Sequence, residues 1–182
     1  MERKNFGRLL NIIYVAMFAA IITICAQLQI PTAVPFTLQT LGVFAAGGLL
    51  GWKRGTLSVL IYVLLGLVGV PVFAGFKGGV AALFGLTGGY IIGFIFTAFI
   101  TGLFADKFGR KLLPLAAGMA LGLLVCYVFG TIWFLFVYNT TMSGISIGSA
   151  LMLCVVPYLP FDALKILAAT VLVNRLNKVV KL

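Results

Sequence analysis

Histidine is missing from this 182-residue chain, and acidic residues nearly so, at three against thirteen lysines and arginines. The first absence removes histidine-held zinc sites and every imidazole acid–base pair. Serine is scarce, and none is expected to be the nucleophile of a Gly-x-Ser-x-Gly elbow. No Gly-Lys dipeptide occurs, so there is no Walker-type loop to cradle nucleotide phosphates. The three cysteines, Cys25, Cys126 and Cys154, stand singly in apolar runs, with neither metal-ligand spacing nor a disulfide framework. They read as small buried hydrophobes, and no metal or cofactor is expected. Charged residues of both signs make up 9% of the chain, where a soluble domain carries about 25%. The net charge of +10 lies in small groups between apolar runs, not in the continuous basic stripe that nucleic acid requires.

What is present is apolar: 63% of residues, against roughly 45–50% in soluble domains. Such a chain belongs in a bilayer. Apolar runs of about 17–25 residues read as membrane helices, and they place spans near 9–29, 55–71, 87–105, 112–138 and 149–174. A shorter run at 38–50 reads as a short or tilted span, and Gly130 offers a bend within the long fifth one. The first run exceeds a signal-peptide core and has no small-residue cleavage site, so it is read as retained.

The basic residues test this count. Arg3, Lys4 and Arg8 precede span one; Lys53 and Arg54 separate spans two and three; Lys107, Arg110 and Lys111 separate spans four and five; Arg175, Lys178 and Lys181 follow span six. These are eleven of the thirteen, all on one side of a six-span layout. Lys165 falls within a span and Lys77 alone lies opposite. The positive-inside rule then makes both termini cytoplasmic. The expectation is an all-α integral membrane protein, one domain over 1–182, folded as a single six-helix bundle without an internal repeat.

Three stretches carry functional information. Asp162 and Lys165 lie inside an apolar run, three residues apart and so on one helix face. A charge at mid-membrane costs roughly 2.5–3.5 kcal/mol on insertion scales, so such residues pair, face a cavity or serve a pathway. Pro157 and Pro160 interrupt the run just before Asp162; a helix restarting there would aim its N-terminal dipole inward, where Lys165 adds positive charge. A cavity receiving a small polar, or anionic, molecule from outside is one reading, and a structural ion pair is the other. At the outer end of span one, the prolines of Pro31-Thr-Ala-Val-Pro-Phe-Thr-Leu-Gln-Thr40 forbid a continuous helix, and Thr37, Gln39 and Thr40 present hydrogen-bonding groups. Within Gly75-Phe-Lys-Gly-Gly-Val-Ala-Ala-Leu-Phe-Gly-Leu-Thr-Gly-Gly-Tyr90, Gly85, Gly89 and Gly93 recur every four residues, as at close helix contacts, and Thr87 and Tyr90 add hydroxyls. On span one, Ala16 and Ala20 give a small-residue face suited to packing, inside the bundle or against a partner.

Three motifs in this order, Pro35-Phe-Thr-Leu-Gln-Thr40, Thr87-Gly-Gly-Tyr90 and Leu159-Pro-Phe-Asp-Ala-Leu-Lys165, resemble those of the BioY family. These are the biotin-specific substrate-binding subunits of energy-coupling-factor transporters. The sequence departs from the family pattern at Leu86, where proline is common, and at Phe161, where glycine is common. The resemblance implies capture of biotin at a site drawn from Asp162, Lys165, Gln39, Thr37, Phe36, Tyr90, Thr87 and Lys77. Phe36, Tyr127 and Tyr158 are expected to wall the ligand. It also implies assembly with a transmembrane coupling protein and two cytoplasmic ATPases, with Ala16 and Ala20 as the docking face. Two other readings stay open: a stand-alone secondary transporter or channel for a small anionic metabolite, and a membrane enzyme using the Asp–Lys pair.

Overall fold

The computed structural model describes residues 2–32, 34–142 and 144–179, and of residues 2–6 the backbone alone. The side chains of Arg3, Lys4 and Lys181, counted above, lie outside the described residues. Helix α1, Glu2–Gln27, is followed by a two-stranded antiparallel hairpin, β1 Gln29–Ile30 and β2 Phe36–Thr37, in which Gln29 pairs with Thr37. Pro31 and Pro35 fall between the strands, where they cost no ladder hydrogen bond. Then come α2 Gln39–Leu67, a one-turn helix α3 Val80–Leu83, α4 Gly88–Phe108, α5 Leu112–Thr141, α6 Ile147–Cys154 and α7 Leu159–Val179.

Among the described residues, four helices are long and apolar enough to cross a membrane, namely α1, α2, α4 and α5. A fifth span results if α6 and α7, bent by 46° at their break, count as one. Most of the expected spans 38–50 and 55–71 falls within the single helical stretch α2, which ends at Leu67, and its interior explains why. Gly51 has φ 77° and ψ −179°, a backbone that L side chains rarely adopt. Gln39 Nε2 lies 2.6 Å from the Tyr62 hydroxyl. In a straight helix, 23 residues apart would mean about 34 Å. A Cβ on Gly55 would stand 2.8 Å from the carbonyl oxygen of Ala46. So α2 is a helical hairpin, its arms 39–50 and 52–67 antiparallel and joined by one glycine.

Helix α4 lies between α2 and α5 and packs extensively on both. Lipid tails are as apolar as leucine, so helices associate in a bilayer by close packing, and small residues permit it. Gly47 shows this: a Cβ there would lie 2.7 Å from the Ala98 carbonyl oxygen of α4. Around this seam Phe44, Tyr62, Leu115, Met119 and Phe134 are fully buried. Ile12, Leu124, Ile132, Phe136 and Leu167 face outward, as a lipid-facing surface requires. Gly130 does not bend α5, which runs unbroken; the space it leaves is filled by the ring of Tyr90.

The two ends of the bundle differ. At one, Arg54 donates to Asn11 and Arg110 reaches the turn between the α2 arms. At the other lie the β-hairpin, the loop from Val68 to Gly79 and the break between α6 and α7. Gln27, at the end of α1, fastens that loop: its Nε2 lies 3.3 and 3.2 Å from the Val72 and Phe73 carbonyls, and its Oε1 accepts the Phe76 N–H at 3.0 Å.

Candidate ligand-binding site

A cavity of about 750 Å³ opens at the loop end. The β-hairpin, the Val68–Gly79 loop, α4, α5 and the α6–α7 break all contribute to its wall. Asp162 and Lys165 line it from the first turns of α7, 4% and 8% exposed. Pro160 falls in the first turn of α7, where a missing N–H costs nothing, and the Tyr158 carbonyl takes the Asp162 N–H at 2.8 Å. Phe161 fits this turn without distortion because it points outward, 50% exposed.

The pair is tightly bound. Lys165 Nζ lies 2.8 Å from Asp162 Oδ1 and 2.7 Å from the Thr37 carbonyl oxygen, and 4.5 Å above the Phe36 ring. Thr40 donates to Asp162 Oδ1 at 3.0 Å, and Tyr127 donates to Oδ2 at 2.5 Å. A carboxylate has about four acceptor sites and an ammonium three donors. Three acceptor sites of Asp162 and two donors of Lys165 are occupied, which leaves one of each on residues that line the cavity.

Most of the expected residues converge here, in differing roles. Thr37 takes the Gln39 N–H at 3.2 Å and donates to Gln39 Oε1 at 3.0 Å, and Gln39 is held to Tyr62. Both therefore present few free polar groups to a ligand, and the Thr37 backbone matters more than its hydroxyl. Tyr90 lines the wall with its hydroxyl 3.0 Å from that of Thr131. Thr87 and Leu86, half-buried, stand at the rim before α4, and exposed Lys77 at the mouth. Phe36 does not line the cavity. It backs the lysine, packed between Tyr158 and Phe161, because β2 turns its side chain behind the pair. Tyr158 does line it, and ties Thr32 and the Val34 carbonyl to the α6–α7 break.

Direct contacts of the carboxylate with Thr40 and Tyr127 are finer than the sequence reading, which gave Thr40 as polar and Tyr127 as a wall. Cys126 and Cys154, read as inert, line the cavity with Ile91, Phe94 and Leu123. Ala16 and Ala20 are exposed on α1, on a face with Ile12, Met17 and Ile24, while Val15, Phe18, Ala19 and Ile22 pack inward. Ser146 stands in a Gly-x-Ser-x-Gly spacing, Gly144 to Gly148, contrary to the expectation that no serine does. It caps α6, its Oγ accepting the Ser149 N–H at 3.2 Å. With no histidine in the chain, it has no imidazole base.

A sequence model described as the BioY family matches residues 1–182. A biotin transporter BioY from Thermotoga maritima is 43% identical over 169 residues, covering 92% of this chain and 96% of its own. A probable biotin transporter BioY from Pyrococcus horikoshii is 41% identical over 164 residues, covering 90% and 93%. Among solved structures, the crystal structure of the S-component for biotin from an ECF-type ABC transporter superposes with a TM-score of 0.86. It is 34% identical, over 96% of this chain and 94% of that one.

Proposed function

The chain belongs to the BioY family, a family of multi-pass membrane transporters rather than enzymes, and from that premise we propose that it captures biotin outside the cell with high affinity. It acts as the substrate-specificity subunit of an energy-coupling-factor importer, with a transmembrane coupling protein and two cytoplasmic ATPases as partners.

The observation that carries the reading is the incompletely satisfied Asp162–Lys165 pair on the wall of a cavity that opens away from the basic end. A cyclic urea presents an N–H donor beside a C=O acceptor. The free acceptor of Asp162 and free donor of Lys165 are its complement, and Tyr127 fixes the carboxylate that receives the N–H. Ile91, Phe94 and Leu123 suit the sulfur ring, with Tyr127 and Tyr158 as aromatic walls. Lys77 at the mouth suits the valerate anion, and Gln39, Thr37, Thr87 and Tyr90 frame the polar side.

The antiparallel arms of α2 support six membrane segments: α1, the two arms, α4, α5, and α6 with α7. Both termini then fall at the basic end, which the positive-inside rule makes cytoplasmic. The exposed face bearing Ala16 and Ala20 suits the coupling protein, because small side chains let another helix approach closely.

Titration of the detergent-purified protein with biotin tests the reading. Trp133 is a suitable fluorescent reporter, since its Nε1 donates to the Gly85 carbonyl at 3.1 Å on the cavity wall. Nanomolar one-to-one binding is expected. Asp162→Asn should weaken it by about 1–3 kcal/mol, the scale for a charged hydrogen-bond partner. A folded, monodisperse sample that binds no biotin overturns the proposal.

A further inference from the structure

At the basic end, the turn between the α2 arms is held by two charged side chains, Asp106 in the last turn of α4 and Arg110 in the connection from α4 to α5. The last carbonyls of a helix have no partner within it. Here Arg110 supplies one in a two-pronged contact, Nε to the Gly48 oxygen at 2.8 Å and Nη2 to the Leu49 oxygen at 3.0 Å. Asp106 takes the Trp52 N–H, which opens the second arm, at 3.0 Å. A carboxylate suits a helix N-terminus. Asp106 Oδ1 also stands 3.7 Å from Arg110 Nη2. The Arg110 carbonyl in turn accepts from Asn174 Nδ2 of α7 at 2.8 Å. Beside this cluster α2 touches α7 directly: a Cβ on Gly48 would meet Val173 Cγ2 at 2.9 Å.

The two elements joined here also carry the ligand site at their far ends. The first arm of α2 bears Thr40, and α7 bears Asp162, 3.0 Å apart across the same seam. Unbroken helix connects each to the clamp, over about 12 Å from Thr40 to Gly48 and about 18 Å from Asp162 to Asn174. Two rigid rods pinned at one end have a fixed spacing at the other. We infer that Arg110 is a positioning residue for ligand capture: it sets the register of the 39–50 arm against α7 and so holds Thr40 and the Asp162 carboxylate in binding geometry. Asp106 steadies its guanidinium. Lysine cannot replace it, because one ammonium on a flexible stem does not reproduce the planar fork.

The inference rests on the biotin-capture reading for its first test, and a second needs no ligand. Arg110→Lys, which keeps the charge, should weaken biotin binding about tenfold in a protein that stays monodisperse, within the range by which members of one network couple. In a Thr40→Val background the same change should cost less than about twofold, because the contact it positions is already gone. An unchanged Kd, or an equal factor in both backgrounds, overturns the inference. Asp106→Asn serves the same cycle if Arg110→Lys does not fold. The second test is the rate of N-ethylmaleimide labelling without ligand, read at each cysteine by mass spectrometry. Loosening the seam should speed modification of Cys126 and Cys154, which line the cavity, severalfold. An unchanged rate at both overturns it. If the wild-type protein fails to bind biotin, the capture reading falls, and the labelling result alone decides the role of Arg110.

Discussion

The two ends of the bundle each hold an Asp beside a basic residue, and they use it differently. At the basic end Asp106 and Arg110 spend their hydrogen bonds on backbone: Trp52 N–H, Gly48 and Leu49 carbonyls. The groups satisfied there are helix ends, and the result is a turn held at one glycine. At the cavity end Asp162 and Lys165 are bound chiefly by side chains and by each other, under near-complete burial, with an acceptor and a donor left over. Polar groups that reach water, with side chains 21% and 38% exposed, can leave their remaining sites to solvent, and they build a joint. Polar groups held rigidly but incompletely satisfied build a receptor, because a ligand with matching groups recovers what the protein leaves unpaired.

The largest effect should come from breaking the buried pair. Lys165→Ala leaves Asp162 charged, buried and short of its cation. Removing one partner of such a pair costs about 3–5 kcal/mol, so thermal unfolding in detergent should show a strongly destabilised protein as well as lost biotin binding. Replacing both groups, as Asp162→Leu with Lys165→Met, should restore most of that stability while binding stays absent. If Lys165→Ala alone is as stable as the parent, Thr40 and Tyr127 satisfy the carboxylate without it.

A smaller loss is expected at the joint. Gly55→Ala puts a methyl 2.8 Å from the Ala46 carbonyl oxygen and from Gly47 Cα, both backbone, so the α2 arms must part. Overpacking of this kind costs about 1–3 kcal/mol. The comparison is sharpened if the unfolding midpoint drops and the protein that remains folded also binds biotin more weakly, since the same joint sets the register of the arm that bears Thr40. A lowered midpoint with unchanged affinity would mean that the spacing of the α2 arms does not reach the cavity end.

The buried pair was easier to read from sequence than the joint, for a physical reason. A charge inside an apolar run is costly enough to announce itself, so Asp162 and Lys165 stood out, as did proline-broken helix beside polar residues at Thr37, Gln39 and Thr40. Asp106 and Arg110 stand at the end of a span, where charges are cheap, and they read only as markers of sidedness. The turn at Gly51 was blurred by Lys53 and Arg54, which imply a loop where a single residue with positive φ suffices. Tyr127 lies in α5, whose apolar residues face lipid, core and cavity alike, so no period marks the side that meets Asp162. The role of Phe36 was misread because an aromatic next to a ligand motif suggests a wall. Strand β2 instead turns it behind Lys165.

Lys77 marks the limit of the comparison, since it belongs to the cavity end but is exposed and outside the buried network. An exposed charge contributes about 0–1 kcal/mol to a contact, so Lys77→Ala should barely change stability. Its expected work is on approach. A positive mouth draws an anion in, and that attraction decays over about 10 Å at 0.1 M salt. Stopped-flow mixing with biotin should therefore give a slower association for Lys77→Ala and a slower one still for Lys77→Glu, with dissociation almost untouched. The three proteins should converge as salt rises toward 1 M, where screening shortens to about 3 Å. If Lys77→Ala instead speeds dissociation by the same factor at every salt concentration, the lysine contacts bound ligand directly. The receptor then extends from the pair on α7 to the loop that Gln27 fastens.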